Sequence, residues 1–326
     1  QLQSSAASDV YKRQGIWVAI SMIGVSSIGM ILFTSRPVGD AMATTIWGAS
    51  SSWTLTALPL FVWMGEILFR TKLSENLFEG LAPWLQKLPG GLIHVNVVGC
   101  ALFAAISGSS AATVATVGKM SIPELRKRKY PEKILLGSLA GSGTLGLLIP
   151  PSIILIIYGV TVQESIAKLF IAGIIPGIMI ALIFMGYVII WSLLNKNKMP
   201  LTEENYSFLN KLSKSKQLIP VILLILGVIG SIYTGIATAT EAASLGVVGA
   251  LILSYFQKSL NLKTFKESLL GATKTSCMIA FILAGATFLS LAMGFTGLPR
   301  NLAIWIQNME LSPVSYTHLT LPTTEA

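Results

Sequence analysis

The chain has 326 residues, 53% of them hydrophobic and only 11% charged, and a mean hydropathy of +0.71. A soluble domain carries about 25% charged residues, so an ordinary water-soluble fold is excluded and a polytopic membrane protein is indicated. The net charge of +9 does not mark a nucleic-acid surface, because Lys and Arg fall in short clusters between apolar runs, as the positive-inside rule places them.

The two ends are polar and aperiodic. Residues 1–14 ("QLQSSAASDVYKRQ") and 313–326 (with "VSYTHLTLPTTEA") read as non-native, adapter-like tails and are set aside. The natural chain is accordingly expected to extend further. Between the tails, apolar runs long enough to span a bilayer occupy roughly 15–34, 53–69, 134–157, 167–194, 217–235, 238–256 and 276–297. Cys100 and Cys277 both lie in apolar runs and form no disulfide or CxxC pattern.

An eighth candidate, 92–118, is interrupted at its centre by Ser107, Gly108, Ser109 and Ser110. Its path is decided by counting charges. If it enters and leaves by one face, that face receives Arg70, Lys72, Lys87, Arg126, Lys127, Arg128, Lys129, Lys133, Lys196, Lys198, Lys211, Lys214, Lys216, Lys258, Lys263, Lys266 and Lys274. The other face receives only Arg36, Lys168 and Arg300, a ratio of 17 to 3 with Lys119 and the tail left aside. A single crossing would reduce the segregation to 5 against 15 and put the larger set outside. The segment therefore reads as a re-entrant hairpin of two half-helices of about 12 residues, each rising about 18 Å. Irregular backbone at that depth is tolerated where it is buried in protein or lines a cavity. Close helix packing through small residues is the plainer reading of the same glycines and serines, but it leaves the charge distribution unexplained.

A second interruption follows in "GSLAGSGTLGLLIPPSIILIIYG". Gly141, Ser142, Gly143, Thr144 and Gly146 precede Pro150–Pro151, and proline breaks the ladder of helical hydrogen bonds. The run 134–157 is expected to be a broken helix, with a simple proline kink as the alternative. Half-helix N-termini favour anions, and unwound carbonyls coordinate cations such as sodium, without buried charged side chains. Glu66, His94, Lys168 and Glu241 lie near predicted span ends and read as interfacial or packing residues.

Segments 59–88 and 286–311 share an order: a span, a glycine-containing end, then an amphipathic helix. The apolar faces are Leu73, Leu77, Phe78, Leu81, Trp84, Leu85 and Leu88 in one, and Leu298, Leu302, Trp305, Ile306 and Met309 in the other, with Pro299 near the second helix start. The two copies run in opposite directions by the topology above, which describes an inverted repeat. The organisation is then a first repeat over 15–198, a cytoplasmic linker over 199–216 and an incomplete second repeat over 217–312.

The stretches "PLFVWMGEIL", "GGLIHVNVVGCALFAAISGSSAATVATVG", "GLLIPPSIILIIYGV", "LFIAGIIPGIM" and "GIATATEAASLGVVGAL", in this order, resemble the large membrane subunit of tripartite ATP-independent periplasmic (TRAP) transporters. The resemblance covers about 15–312. It implies an all-α, inverted-repeat elevator-type secondary transporter of the bacterial or archaeal inner membrane. It also implies sodium-coupled import of organic anions such as C4-dicarboxylates or sialic acid, with a periplasmic substrate-binding protein and a small membrane subunit as partners. No cofactor and no catalytic residue are implied. On the matching motifs, Ser107, Gly108, Ser109 and Ser110 with Gly141, Ser142, Gly143, Thr144, Gly146 and Pro150 would form a sodium site, and Ser109, Ser110 and Thr144 would face the substrate. The second hairpin and second broken helix of the family are not found in this sequence, so the chain by itself is not expected to complete transport. Glu241, in "TATEAA", would act either against a neighbouring subunit or as an acid at a helix N-terminus.

Other classes fit less well. An intramembrane serine protease needs a base near its serine, and His94 lies two helical turns or more from the hairpin tip. A channel would repeat its filter by subunit symmetry. A standalone sodium–dicarboxylate symporter of related fold is the nearest rival. No GxxxxGK[ST] occurs, so the sequence gives no support for ATP drive.

Overall fold

The computed structural model describes residues 2–71, 73–200, 207–216 and 218–309, with side chains from 18 to 71 and from 79 onward. Among these residues there is no strand, and there are fourteen α-helices. They are α1 (Leu2–Phe33), α2 (Val38–Ser50), α3 (Ala57–Arg70), α4 (Leu73–Leu85), α5 (Ile93–Ser107), α6 (Ser110–Lys127), α7 (Glu132–Gly143), α8 (Ile153–Val162), α9 (Ile166–Leu194), α10 (Phe208–Ser215), α11 (Ile219–Tyr233), α12 (Ala239–Phe256), α13 (Leu262–Thr296) and α14 (Leu298–Gln307). The tail 313–326 lies outside the described residues.

Every apolar run read from the sequence coincides with helix, but three features differ from expectation. Helices α2 and α10 occupy stretches where no element was expected. Helix α6 runs on through Pro123 to Lys127, so the hairpin arms have 15 and 18 residues rather than about 12. The extension is held by buried Leu125 and by the Arg128–Glu124 ion pair at 2.8 Å. Helix α13 begins at Leu262, so Lys263, Lys266 and Lys274 sit on its exposed surface rather than in a loop. Its 35 residues rise about 52 Å, against about 30 Å of bilayer hydrocarbon, so charged turns project beyond the apolar stretch. Helices α9, α12 and α13 are each long and apolar enough to cross a membrane unaided.

The chain divides into two compact units, Gln1–Ser51 with Cys277–Ala326, and Ser52–Ser276. In the first, buried Met30, Phe288 and Ala292 form a small core ringed by Ile23, Val38, Ala41, Met42, Leu291 and Phe295. The Arg36 guanidinium lies 4.0 Å over the Phe295 ring.

In the second unit, α3 is central because it is apolar around most of its circumference: Leu58, Phe61, Val62, Met64, Ile67 and Leu68 are all buried. It packs on α12, where Gly246 admits Met64: a Cβ at Gly246 would stand 2.5 Å from the Met64 sulfur. Phe61 meets Phe170 of α9 edge-to-face, with centroids 6.0 Å apart. Arg70 at the end of α3 pairs with Glu66 at 3.0 Å and with Glu267 of α13 at 3.1 Å. Helix α9 turns most of its apolar surface outward, with Ile175 and Leu182 exposed, as a lipid-facing span does.

Candidate functional site

Helices α5 and α6 form a tight helical hairpin. Gly99 on α5 lies against Val117 on α6. At the tip Gly108 takes the left-handed conformation (φ 59°) and its N–H closes on the Ala104 carbonyl at 3.0 Å, the αL ending that glycine adopts without a Cβ penalty. Ser109 is extended and caps α6, its Oγ accepting from the Ala112 N–H at 3.4 Å. Ser107 Oγ lies 3.0 Å from Thr113 Oγ1, which donates to the Ser109 carbonyl at 2.8 Å. The tip is thus a fixed turn cross-braced by hydroxyls.

Helix α7 ends at Gly143 in a 3₁₀ turn over Thr144–Leu147. Non-helical residues follow, including Pro150 and Pro151, until Ser152 caps α8; the Ser152 Oγ donates to the Leu147 carbonyl at 2.6 Å and accepts from the Leu155 N–H at 3.5 Å. The unwound stretch is the consequence of two adjacent prolines, neither of which has an N–H to continue the ladder.

These two pieces meet. The Ile153 N–H at the start of α8 donates to the Gly108 carbonyl at 3.2 Å. A Cβ at Gly146 would stand 2.9 Å from the Ser110 nitrogen and 3.0 Å from the Ser109 carbonyl carbon. One at Gly108 would stand 2.6 Å from the Pro151 oxygen, and one at Gly143 would collide with Val114. The N-termini of α6 and α8 and the C-terminus of α5 therefore converge on one small volume, so partial positive and partial negative helix ends lie side by side.

Of the positions singled out from sequence, Ser107, Gly108, Ser109, Ser110, Gly143 and Gly146 come together here, and Pro150 is buried beside them. The Ser110 and Ser142 hydroxyls are buried without a hydrogen-bond partner among the described residues. Gly141 faces Phe184 of α9. Thr144 is exposed, its hydroxyl donating to the Gly141 carbonyl at 2.7 Å. His94 sits at the far end of α5, about 20 Å along the helix from the tip, with Nε2 2.8 Å from the Pro89 carbonyl. Since that carbonyl can only accept, Nε2 carries the proton.

Three glycines that support the site were not identified from sequence. A Cβ at Gly65 on α3 would stand 2.8 Å from the Ser107 Cα. On α9, one at Gly173 would stand 2.7 Å from the Leu148 carbonyl oxygen and one at Gly177 2.8 Å from Ile149 Cγ1. The last two form a small-xxx-small pair in "GIIPG", a packing signal legible in the chain.

Helices of this hydropathy, with a polar site assembled from helix ends, define a multi-pass helical membrane protein. The family described as tripartite ATP-independent periplasmic transporter, DctM component, matches residues 10–321, a span that takes in part of both tails set aside above. The C4-dicarboxylate TRAP transporter large permease protein DctM of Pseudomonas aeruginosa is 32% identical over 292 residues, covering 89% of this chain and 68% of the relative. The sialic acid TRAP transporter large permease protein SiaM of Vibrio cholerae is 31% identical over 303 residues, covering 92% and 70%. The ectoine/5-hydroxyectoine TRAP transporter large permease protein UehC of Ruegeria pomeroyi is 31% identical over 309 residues, again covering 92% and 70%. The chain belongs to the DctM family of TRAP large permeases, which are transporters rather than enzymes.

Proposed function

We propose that this chain is the large permease subunit of a sodium-coupled importer of organic anions in a bacterial or archaeal inner membrane. A periplasmic substrate-binding protein would deliver the anion, and a small membrane subunit would pack alongside. The observation that carries this reading is the contact of the hairpin tip with the helix break, through Ile153 N–H to Gly108 carbonyl and Gly146 against Ser109 and Ser110. Neutral oxygens from both pieces suit a hard monovalent cation, and the adjoining N-termini of α6 and α8 suit a carboxylate. Sodium would be held by backbone carbonyls and hydroxyls among Ser107–Ser110 and Gly141–Pro150, with Ser109, Ser110 and Thr144 nearest the substrate.

The hairpin with α7 and α8 would form the first half of a mobile transport domain, and the inverted second repeat would supply its counterpart, as in an elevator cycle. Relatives named for C4-dicarboxylate, sialic acid and ectoine transport support a small carboxylated metabolite as the substrate class.

The test is uptake of a radiolabelled organic acid into proteoliposomes holding the complete permease with its small subunit and binding protein. Uptake is expected to need an inward sodium gradient and to be lost when Ser109 and Ser110 are both changed to Leu. Uptake indifferent to sodium would remove the coupling, and full uptake in the variant would return the tip to a packing role.

A further inference from the structure

The stretch 199–216, read from sequence as a linker, contains α10. On a wheel of about 100° per residue, Phe208, Lys211 and Ser215 share the arc that meets α4. The Phe208 ring stands edge-on to Trp84 with centroids 6.3 Å apart, and Lys211 Nζ lies 5.4 Å from the Trp84 ring centroid. Trp84 Nε1 donates to Ser215 Oγ at 2.7 Å. Beside this arc runs an apolar one, Phe208, Leu209 and Leu212, exposed by 67%, 73% and 50%. Next in the chain, α11 also exposes Ile219, Leu223 and Leu226, so apolar side chains are exposed on both helices. Lys211 flanks the apolar arc on its α4 side, Lys214 lies on the opposite side of the helix, and Lys216 follows it.

We propose that α10 lies in the membrane interface and binds anionic phospholipid headgroups. Phe208, Leu209 and Leu212 would rest in the acyl boundary, and Lys211 and Lys216 would lie against lipid phosphates. Two features select lipid as the occupant: the apolar arc is followed in the chain by the exposed apolar residues of α11, and the flanking charge is complementary to an anionic leaflet. Through Trp84 the same contact fixes the end of α4, so leaflet charge acts on the amphipathic helix that leads into the hairpin. The inference rests on the chain being a membrane protein and not on sodium coupling.

The experiment places a nitroxide at Leu212→Cys in a Cys277→Ser background, Cys100 being buried, with the protein in nanodiscs. Phosphatidylcholine discs are compared with discs that also contain phosphatidylglycerol. The label is expected to collide more with oxygen than with an aqueous nickel chelate, and the ratio is expected to rise when phosphatidylglycerol is added. High salt should abolish the rise. The variant Lys216→Gln, which leaves the Lys211–Trp84 contact in place, should reduce it, a lysine favouring the anionic surface by about fivefold. A label open to nickel in both lipids overturns the interfacial placement. A ratio unchanged by phosphatidylglycerol or salt in the unsubstituted protein overturns anionic recognition, whether or not the lysine variant folds.

Discussion

Gly146 and Gly108 are the residues on which the site's geometry turns. At Gly146 the neighbour is the backbone of Ser109 and Ser110, which has no rotamer by which to yield. Gly146→Ala is therefore expected to destabilise the contact by roughly 1–3 kcal/mol and to lower uptake at least tenfold. Gly137→Ala on the preceding α7, where a Cβ meets nothing within 4 Å, should leave uptake and melting temperature unchanged. Gly108→Ala adds a left-handed strain of about 1–2 kcal/mol to its clash with the Pro151 carbonyl. It should lower the thermal midpoint measured in detergent, and more so than Gly141→Ala, where Phe184 at 3.4 Å can shift slightly. The glycine-serine interruption was legible as a turn. Which glycines are obligatory was not, because that depends on what stands opposite each missing Cβ.

Among elements, α12 shows how a local signal can be read in more than one way. In "TATEAA", Glu241 could serve a neighbouring subunit or its own helix end. The structure shows a full capping box: Thr238 Oγ1 accepts from the Glu241 N–H at 3.3 Å, and Glu241 Oε2 accepts from the Thr238 N–H at 2.8 Å. Thr238→Ala should cost about 1 kcal/mol, seen as a lower melting temperature, and Thr238→Ser should restore it. For α9, Gly177→Leu is expected to push the helix off Ile149 and reduce uptake while the protein still reaches the membrane, checked by transport against membrane content. The hydropathy that identified α9 as a span contains no information on its partner, so its role behind the break appeared only with the fold. Helix α10 was passed over because eight residues carrying two lysines and three polar side chains look like a linker until their arcs are laid against α4.

For the whole molecule, the distribution of Lys and Arg makes the broadest prediction. Single cysteines replacing Lys129 and Lys258 should label from one side of the membrane, and one replacing Lys168 from the other. Sided labelling with an impermeant maleimide in a Cys277→Ser background checks this. A cysteine replacing Lys87, ahead of 92–118, should label from the same side as one replacing Lys129; labelling of the two from opposite sides would sink the hairpin reading of that segment. The long-range ion pair of Arg70 with Glu267 is part-exposed, at 28% and 46%, and is worth at most about 1 kcal/mol. Arg70→Gln should therefore alter stability only slightly.

Hydropathy, charge placement and proline–glycine punctuation determined the membrane class, the approximate helix positions and the two interruptions, because each is a property of a short stretch of chain. The tertiary structure decided that the interruptions meet, through Gly108, Ile153 and Gly146, and that Gly65, Gly173 and Gly177 make room for them. It also decided that α13 carries its lysines on a helix and that α10 is braced by Trp84. Those outcomes depend on distances between segments far apart in sequence, and a one-dimensional pattern of polarity holds no such distances.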